Sequence, residues 1–174
     1  IREPNSETYD RLHRGVTRLN RLVEDLYDLS RYDLGTLTII PKKVDIAELV
    51  RNEISTLQHE ANKKNLNFEE NTDNNISSLF IQGDHQRLQQ LLSNVLTNSI
   101  WYTQNGGTIS VELSRTDNKV ILDVHDTKPG VPDKALPRLF NRLYRVDQSR
   151  GRNVGGSGLG LAICKQITLA HQGT

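Results

Sequence analysis

Two asparagines, Asn94 and Asn98, stand inside the otherwise apolar stretch Leu91-Leu92-Ser93-Asn94-Val95-Leu96-Thr97-Asn98-Ser99. Four residues apart on a helix they share one face, and Gln90 extends it. Asparagine is a poor helix-interior residue because its amide competes with the backbone. The pair is therefore either a solvated polar face or a source of amide oxygen for a hard cation such as Mg²⁺. Tyr102, just beyond Trp101, offers a ring that can stack on a flat ligand. Further along, Gly155, Gly156, Gly158 and Gly160 fall within six positions and run straight into Leu161-Ala162-Ile163. Glycine permits positive φ and close approach of a ligand to the main chain. The helix start behind it offers unpaired N–H groups and a partial positive charge. That combination suits phosphate, although a flexible linker has the same composition. Between these segments, His125-Asp126 ends an alternating run and opens a loop with Pro129-Gly130. Such an aspartate accepts a hydrogen bond from an exocyclic amine or simply initiates a turn. Arg138, Arg142, Arg145, Arg150 and Arg152 flank the segment before the glycines, with Phe140, Leu143 and Tyr144 interleaved as apolar anchors. Guanidinium groups match phosphate oxygens, and they equally make a solvated charged loop.

Other chemistries find little support. His13, His59, His85, His125 and His171 show no metal-ligand spacing. No Lys-Ser/Thr follows a glycine loop as in a Walker motif, and no nucleophile elbow is present. The single cysteine, Cys164, excludes an internal disulfide framework and reads as a small buried side chain on a helix. A net charge of +1 gives no general attraction to nucleic acid or to an anionic membrane. No apolar run approaches the roughly 20 residues that span a bilayer.

These residues need elements to hold them. Ser6 or Asn5 caps a long helix to about Asp33, with Leu12, Val16, Leu19, Val23, Leu26 and Ser30 as a stripe that Leu22 and Leu29 widen. One helix cannot bury such a stripe alone. With no second helix of that type in the chain, the expected partner is a segment outside it or another chain. Gly35 ends the helix. Leu37–Val44 reads as extended and broken by Pro41, and Ile46–Lys63 as a second helix. Leu66/Phe68 and Leu79–Ile81 read as short strands around a polar turn, Asn71–Ser78. Asp84 caps a third helix to about Trp101. Thr108–Leu113 and Val120–Val124 form a hairpin turning near Asp117-Asn118. A short helix follows around Lys134–Phe140, then a long polar loop, Asn141–Ser157, and a last helix from near Gly158 to His171. The order predicts an α+β fold, a two-layer α/β sandwich with helices on one face of a mixed sheet, preceded by one long amphipathic helix. Both ends of the chain read as cut, at Ile1 and just after the helix stop Gly173.

In combination, Asn94 and Asn98 with their neighbours, Asp126-Thr127-Lys128-Pro129-Gly130, Leu139-Phe140-Asn141-Arg142-Leu143-Tyr144-Arg145, and Gly155 to Ala162 resemble the N, G1, F and G2 boxes. These mark the ATP-binding catalytic domain of sensor histidine kinases, in the GHKL superfamily, and the envelope-stress branch is the most similar. The resemblance covers essentially the whole chain. It implies the Bergerat ATP-binding fold over residues 45–174, with its last strands beyond Thr174. Residues 1–35 would be the second helix of the dimerization and phosphoacceptor hairpin, and 36–44 a linker. It implies ATP and Mg²⁺ as cofactors, with Asn98 as metal ligand and Asn94 supporting it. Asp126 would read the adenine amino group, with Gly130 at the turn beside the base and Tyr102 over the ring. Gly156, Gly158, Leu159 and Gly160 would line the phosphates, and Arg145 or Arg142 would offset charge on the γ-phosphoryl group.

The implied activity is transfer of that phosphoryl group to a histidine and thence to a response-regulator aspartate. The parent would be a homodimeric bacterial inner-membrane protein of which this is the cytoplasmic portion. No nucleic acid and no membrane contact are implied for this segment. Three departures stand out. Trp101 replaces the usual Arg or Lys before the tyrosine, Lys128 replaces the usual first glycine of the G1 box, and no histidine has the phosphoacceptor context. The first two keep open an alternative, a nucleotide-binding module without catalysis. A gyrase, Hsp90 or MutL relative is disfavoured because Gln89 and Gln90 precede the asparagines and the helix has no glutamate to activate water.

Overall fold

The computed structural model describes residues 6–35, 38–71, 78–116, 119–127, 129–146 and 157–174, without the side chains of residues 6, 7, 10, 11, 14, 18 and 21. Gly156, Lys128, Arg150, Arg152, the Asn5 cap, the Asp117-Asn118 turn and most of the 71–78 turn lie outside the described residues.

The chain runs α1 (Ser6–Asp33), β1 (Lys42–Asp45), α2 (Ile46–Asn62), β2 (Asn67–Glu70), β3 (Phe80–Gly83), α3 (His85–Tyr102), β4 (Thr108–Thr116) and β5 (Lys119–Asp126). A 3₁₀ helix (Asp133–Arg138) and α4 (Gly160–Ala170) complete it. The α1 helix stops where Gly35 takes φ +62°, a conformation that costs glycine little. Strand β1 starts only after Pro41, which has no N–H to give a ladder. Aspartates cap the next two helices. Asp45 Oδ1 accepts from Ala47 N (3.1 Å) and Glu48 N (3.4 Å), and also from Leu79 N (3.0 Å), so the α2 cap holds the approach to β3. Asp84 Oδ1 accepts from Gln86 N and Arg87 N, and its Oδ2 from Ile40 N at 3.1 Å. Burial pushes the Asp84 carboxyl up, but these backbone donors outweigh it and hold it below the usual carboxylate range.

Strand β2 pairs parallel with β4, and β4 antiparallel with β5, placing Asp126 opposite Ile109. Strands β1 and β3 form a separate antiparallel pair. Alternation on β4 sends Ile109, Val111 and Leu113 to one face, where they meet Leu92, Leu96 and Ile100 of α3 and Ala47, Val50 and Ala61 of α2. This is the sandwich with helices over one face of a mixed sheet that the sequence predicts.

The fate of the α1 stripe corrects an expectation. Leu22 and Leu29 find a partner within the chain: with Tyr32 they pack on Leu159, Ala162, Ile163 and Ile167 of α4 and its approach. Leu12, Val16, Leu19, Val23 and Leu26 stay exposed, Leu19 at 59%. The helix carries two apolar stripes on adjacent faces, and only the 22/29 stripe is covered.

Candidate functional site

The site begins on α3, whose inner face is fixed by Leu92, Leu96 and Ile100 in the main core. That packing forces Asn94 inward, where it is 4% exposed. Its Nδ2 reaches Gly160 O at 3.5 Å. A Cβ on Gly160 would sit 3.4 Å from Asn94 Cγ, so the start of α4 lies in direct contact with the asparagine. One turn further, Asn98 is half-buried, and no described residue hydrogen-bonds its side chain. An amide oxygen left open on a rigid helix is suited to a hard cation. One turn back, Gln90 donates to Asp28 Oδ2 of α1 (3.1 Å) and accepts from Arg87 Nη1 (2.9 Å).

The glycine segment and the segment around Phe140 meet. Gly158 has φ +73°, its carbonyl accepts from Leu143 N at 2.9 Å, and a Cβ there would stand 3.0 Å from Leu143 C. Leu143 itself takes φ +58°, an uncommon state for a branched side chain that marks strain held by its surroundings. Leu159 is 1% exposed in the α1–α4 cluster, so only its main chain can face a ligand. Its N–H donates to Ser157 Oγ at 3.1 Å. The N-terminal turn of α4 follows directly, and its first N–H groups have no intrahelical acceptor.

The arginines separate. Arg142 donates both Nη atoms to the Asp33 carboxylate of α1, one at 2.6 Å, rather than facing the glycine turn. Arg145 Nε is buried without a hydrogen-bond partner, a donor in want of an acceptor. Arg138 lies over the Tyr144 ring at 4.4 Å. At the other end, Tyr102 closes α3 at 55% exposure, and Asp126 ends β5, exposed. Thr127 continues the strand pairing through Thr127 N to Thr108 O and Thr108 N to Thr127 Oγ1. Gly130 is exposed with open space around it.

The acids of α1 were not legible as site neighbours. Asp28 pairs with Arg87 (Nη1–Oδ2 2.5 Å), and Asp25 Oδ2 accepts from Ser157 Oγ at 3.4 Å. Both aspartates are buried. With Glu24, Gln90 and Asn94 they line a cleft of about 660 Å³ between α1 and α3. Their spacing with Leu22 and Leu29 was the available signal, because an acid on a packed stripe is not solvated. Burial also pushes the Cys164 thiol up to about 12, in keeping with an inert side chain whose Sγ faces Leu91 O.

A two-layer fold in which a buried asparagine meets the glycine turn at the head of a helix defines a class. Residues 83–174 match the histidine kinase-, DNA gyrase B-, and HSP90-like ATPase family, and the chain belongs to it. The relatives it resembles are histidine kinases, and membership of this ATPase family implies ATP binding. It is 38% identical to the signal transduction histidine-protein kinase BaeS of Escherichia coli (strain K12), over 99% of this chain and 36% of BaeS. Among solved structures, full-length ShkA in complex with AMPPNP is 25% identical with TM-score 0.80, over 97% of this chain and 35% of that one. The mycobacterial sensor histidine kinase MprB is 28% identical with TM-score 0.65, over 76% of this chain and 81% of that one. The chain thus spans about a third of the length of BaeS.

Proposed function

We propose that this chain is the ATP-binding catalytic region of a two-component sensor histidine kinase. It transfers the γ-phosphoryl group of ATP to a histidine supplied by a neighbouring helix, and the parent passes it to a response-regulator aspartate. The observation that carries this reading is the meeting of three boxes: Asn94 against Gly160, and Gly158 against Leu143 and Tyr144. Residues 1–35 are then the second helix of a dimerization hairpin, 36–44 a linker, and 45–174 the catalytic domain. The exposed Leu12–Leu26 stripe is the face that pairs in a homodimer. Among the described residues no helix is long and apolar enough to cross a membrane, which fits a cytoplasmic portion of a membrane-bound parent.

The chemistry asked of these residues is mainly positioning and charge stabilisation. Asp126 accepts from the adenine amino group, Tyr102 covers the ring, and Gly130 lets the loop turn beside it. The Asn98 amide oxygen would hold Mg²⁺, with Asn94 setting the helix face beside the glycine turn. When bound, the metal would neutralise phosphate charge. Gly156, Gly158, Leu159 and Gly160 form the turn on the phosphate side; the Leu159 N–H is held by Ser157 Oγ, and the open main-chain donors are those at the head of α4. Arg145, whose buried Nε has no hydrogen-bond partner, would offset charge on the γ-phosphoryl group, joined by Arg142 on leaving Asp33. The bond between the γ-phosphorus and the β–γ bridging oxygen breaks as a phosphorus–nitrogen bond to the imidazole forms, and ADP leaves with the bridging oxygen.

The test is transfer in trans. With ATP labelled at the γ-phosphate, the chain should label a separately supplied dimerization hairpin that carries a phosphoacceptor histidine, as an acid-labile phosphoramidate. ATP binding without any transfer would instead support the nucleotide-binding module that Trp101 and Lys128 keep open.

A further inference from the structure

Helix α3 has no basic residue in its own last turn, yet its C-terminal carbonyls are not left to water. Lys64, in the turn between α2 and β2, reaches across to them. Its Nζ lies 2.7 Å from Ile100 O, 3.0 Å from Trp101 O and 2.6 Å from Thr103 O. An ammonium has three donors, and here all three are used on main-chain carbonyls. The positive charge also sits at the negative end of the helix dipole. The Lys64 turn is itself held: its carbonyl accepts from Gly106 N at 3.0 Å, and Asn65 takes φ +53° to let the chain enter β2. Burial holds the Lys64 ammonium below its usual range, as expected for a charge turned inward onto dipoles rather than onto a carboxylate.

The three acceptors have a consequence for the site. Trp101 O and Thr103 O bracket Tyr102, so the clamp spans the last helical carbonyls and the first one after the helix ends. It ties down the backbone where the chain leaves α3, on both sides of Tyr102. Thr103, 1% exposed, adds a second tie through Oγ1 to Ser99 O at 2.6 Å. Asn98 lies a full turn earlier, on a part of α3 held by the main core.

We propose that Lys64 is a positioning residue for the base end of the nucleotide site, acting through Tyr102 without touching the ligand. The inference rests on the nucleotide-binding reading above. Its test compares the wild type with Lys64→Met, Lys64→Arg and Lys64→Gln, read by titration with ATP and with adenosine well below each variant's melting temperature. Trp101, the only tryptophan in the chain, supplies a fluorescence signal from the clamped turn. Lys64→Met should lose about ten-fold in affinity for both ligands, the scale of lost charge-assisted hydrogen bonds. It should also show an altered Trp101 emission change on binding, while the ratio of ATP affinities with and without Mg²⁺ stays as in wild type. Lys64→Arg should not rescue, because a planar guanidinium does not match three converging carbonyls. Lys64→Gln, with two N–H donors, should recover part, and it carries the comparison if the Met variant does not fold.

A cap with a purely structural role would lower the melting temperature and leave adenosine affinity unchanged, as the core variant Leu49→Ala should. That outcome in Lys64→Met would overturn the proposal while leaving the nucleotide reading intact. A wild type that binds no ATP would overturn the nucleotide reading, and this inference with it.

Discussion

The two ends of the proposed nucleotide site are held in different ways. The proposed base end is built without α1: Tyr102 and Asp126 sit at the ends of α3 and β5, both rooted in the main core, and Lys64 ties off the helix. The phosphate end shares its fastenings with α1. Leu159 packs against Leu29, Ser157 meets Asp25, Arg142 is bound to Asp33, and Gln90 and Arg87 meet Asp28. Among the described residues no α1 contact holds the proposed base end, whereas the proposed phosphate end is tied to α1 at several points. In the conformation described here, the α1 acids occupy groups that phosphate binding would use.

Variants at each end should separate the two. The largest effect is expected from Gly158→Ala. At φ +73°, with a Cβ 3.0 Å from Leu143 C, the substitution adds strain of about 1–3 kcal/mol and forces the glycine turn off the Phe140 segment. ATP affinity should fall well over ten-fold while adenosine affinity is nearly unchanged, as measured by calorimetric titration. Next, Asp126→Asn should weaken ATP and adenosine alike by about ten-fold, the scale of a hydrogen bond to a charged group, and should erase discrimination between ATP and GTP. Equal losses of adenosine affinity in both variants would contradict the division into two ends.

The smallest effect concerns the Arg142–Asp33 pair, which is exposed on both sides, a setting in which ion pairs contribute little. The hydrogen bond from Arg142 holds the Asp33 carboxyl below its ordinary range. A depressed carboxylate pKa means that the stabilisation is fully present above the ordinary value and is lost as pH falls through the lowered one. The pair is therefore intact at neutral pH and opens only in acid. An NMR titration of the Arg142 side chain should show this transition in the wild type and none in Asp33→Asn.

Much of the base end was legible in sequence because it depends on local signals. Asp84 before an apolar run and alternation over 108–113 and 120–124 each work within a few residues. Asn94 and Asn98 stood out because two amides in a helix interior conflict with propensity. The phosphate end was less legible for the opposite reason. Asp33 and Arg142 are 109 residues apart, and nothing in either neighbourhood announces the other. The α1 helix carries two stripes, and periodicity alone did not say that only Leu22 and Leu29 are covered within the chain. Nothing in the sequence marks Lys64, because a lysine in a turn is ordinary; only the convergence of three carbonyls gives it meaning.

The Asn94–Asn98 face of α3 and the glycine turn are proposed to form one Mg²⁺-dependent ATP site. The most direct measurement is titration of ATP with and without Mg²⁺, for wild type and Asn98→Ala. Wild type should bind ATP more tightly with Mg²⁺, and Asn98→Ala should bind it equally with and without the metal while keeping its affinity for adenosine. Mg²⁺ dependence unchanged in Asn98→Ala would contradict the assignment.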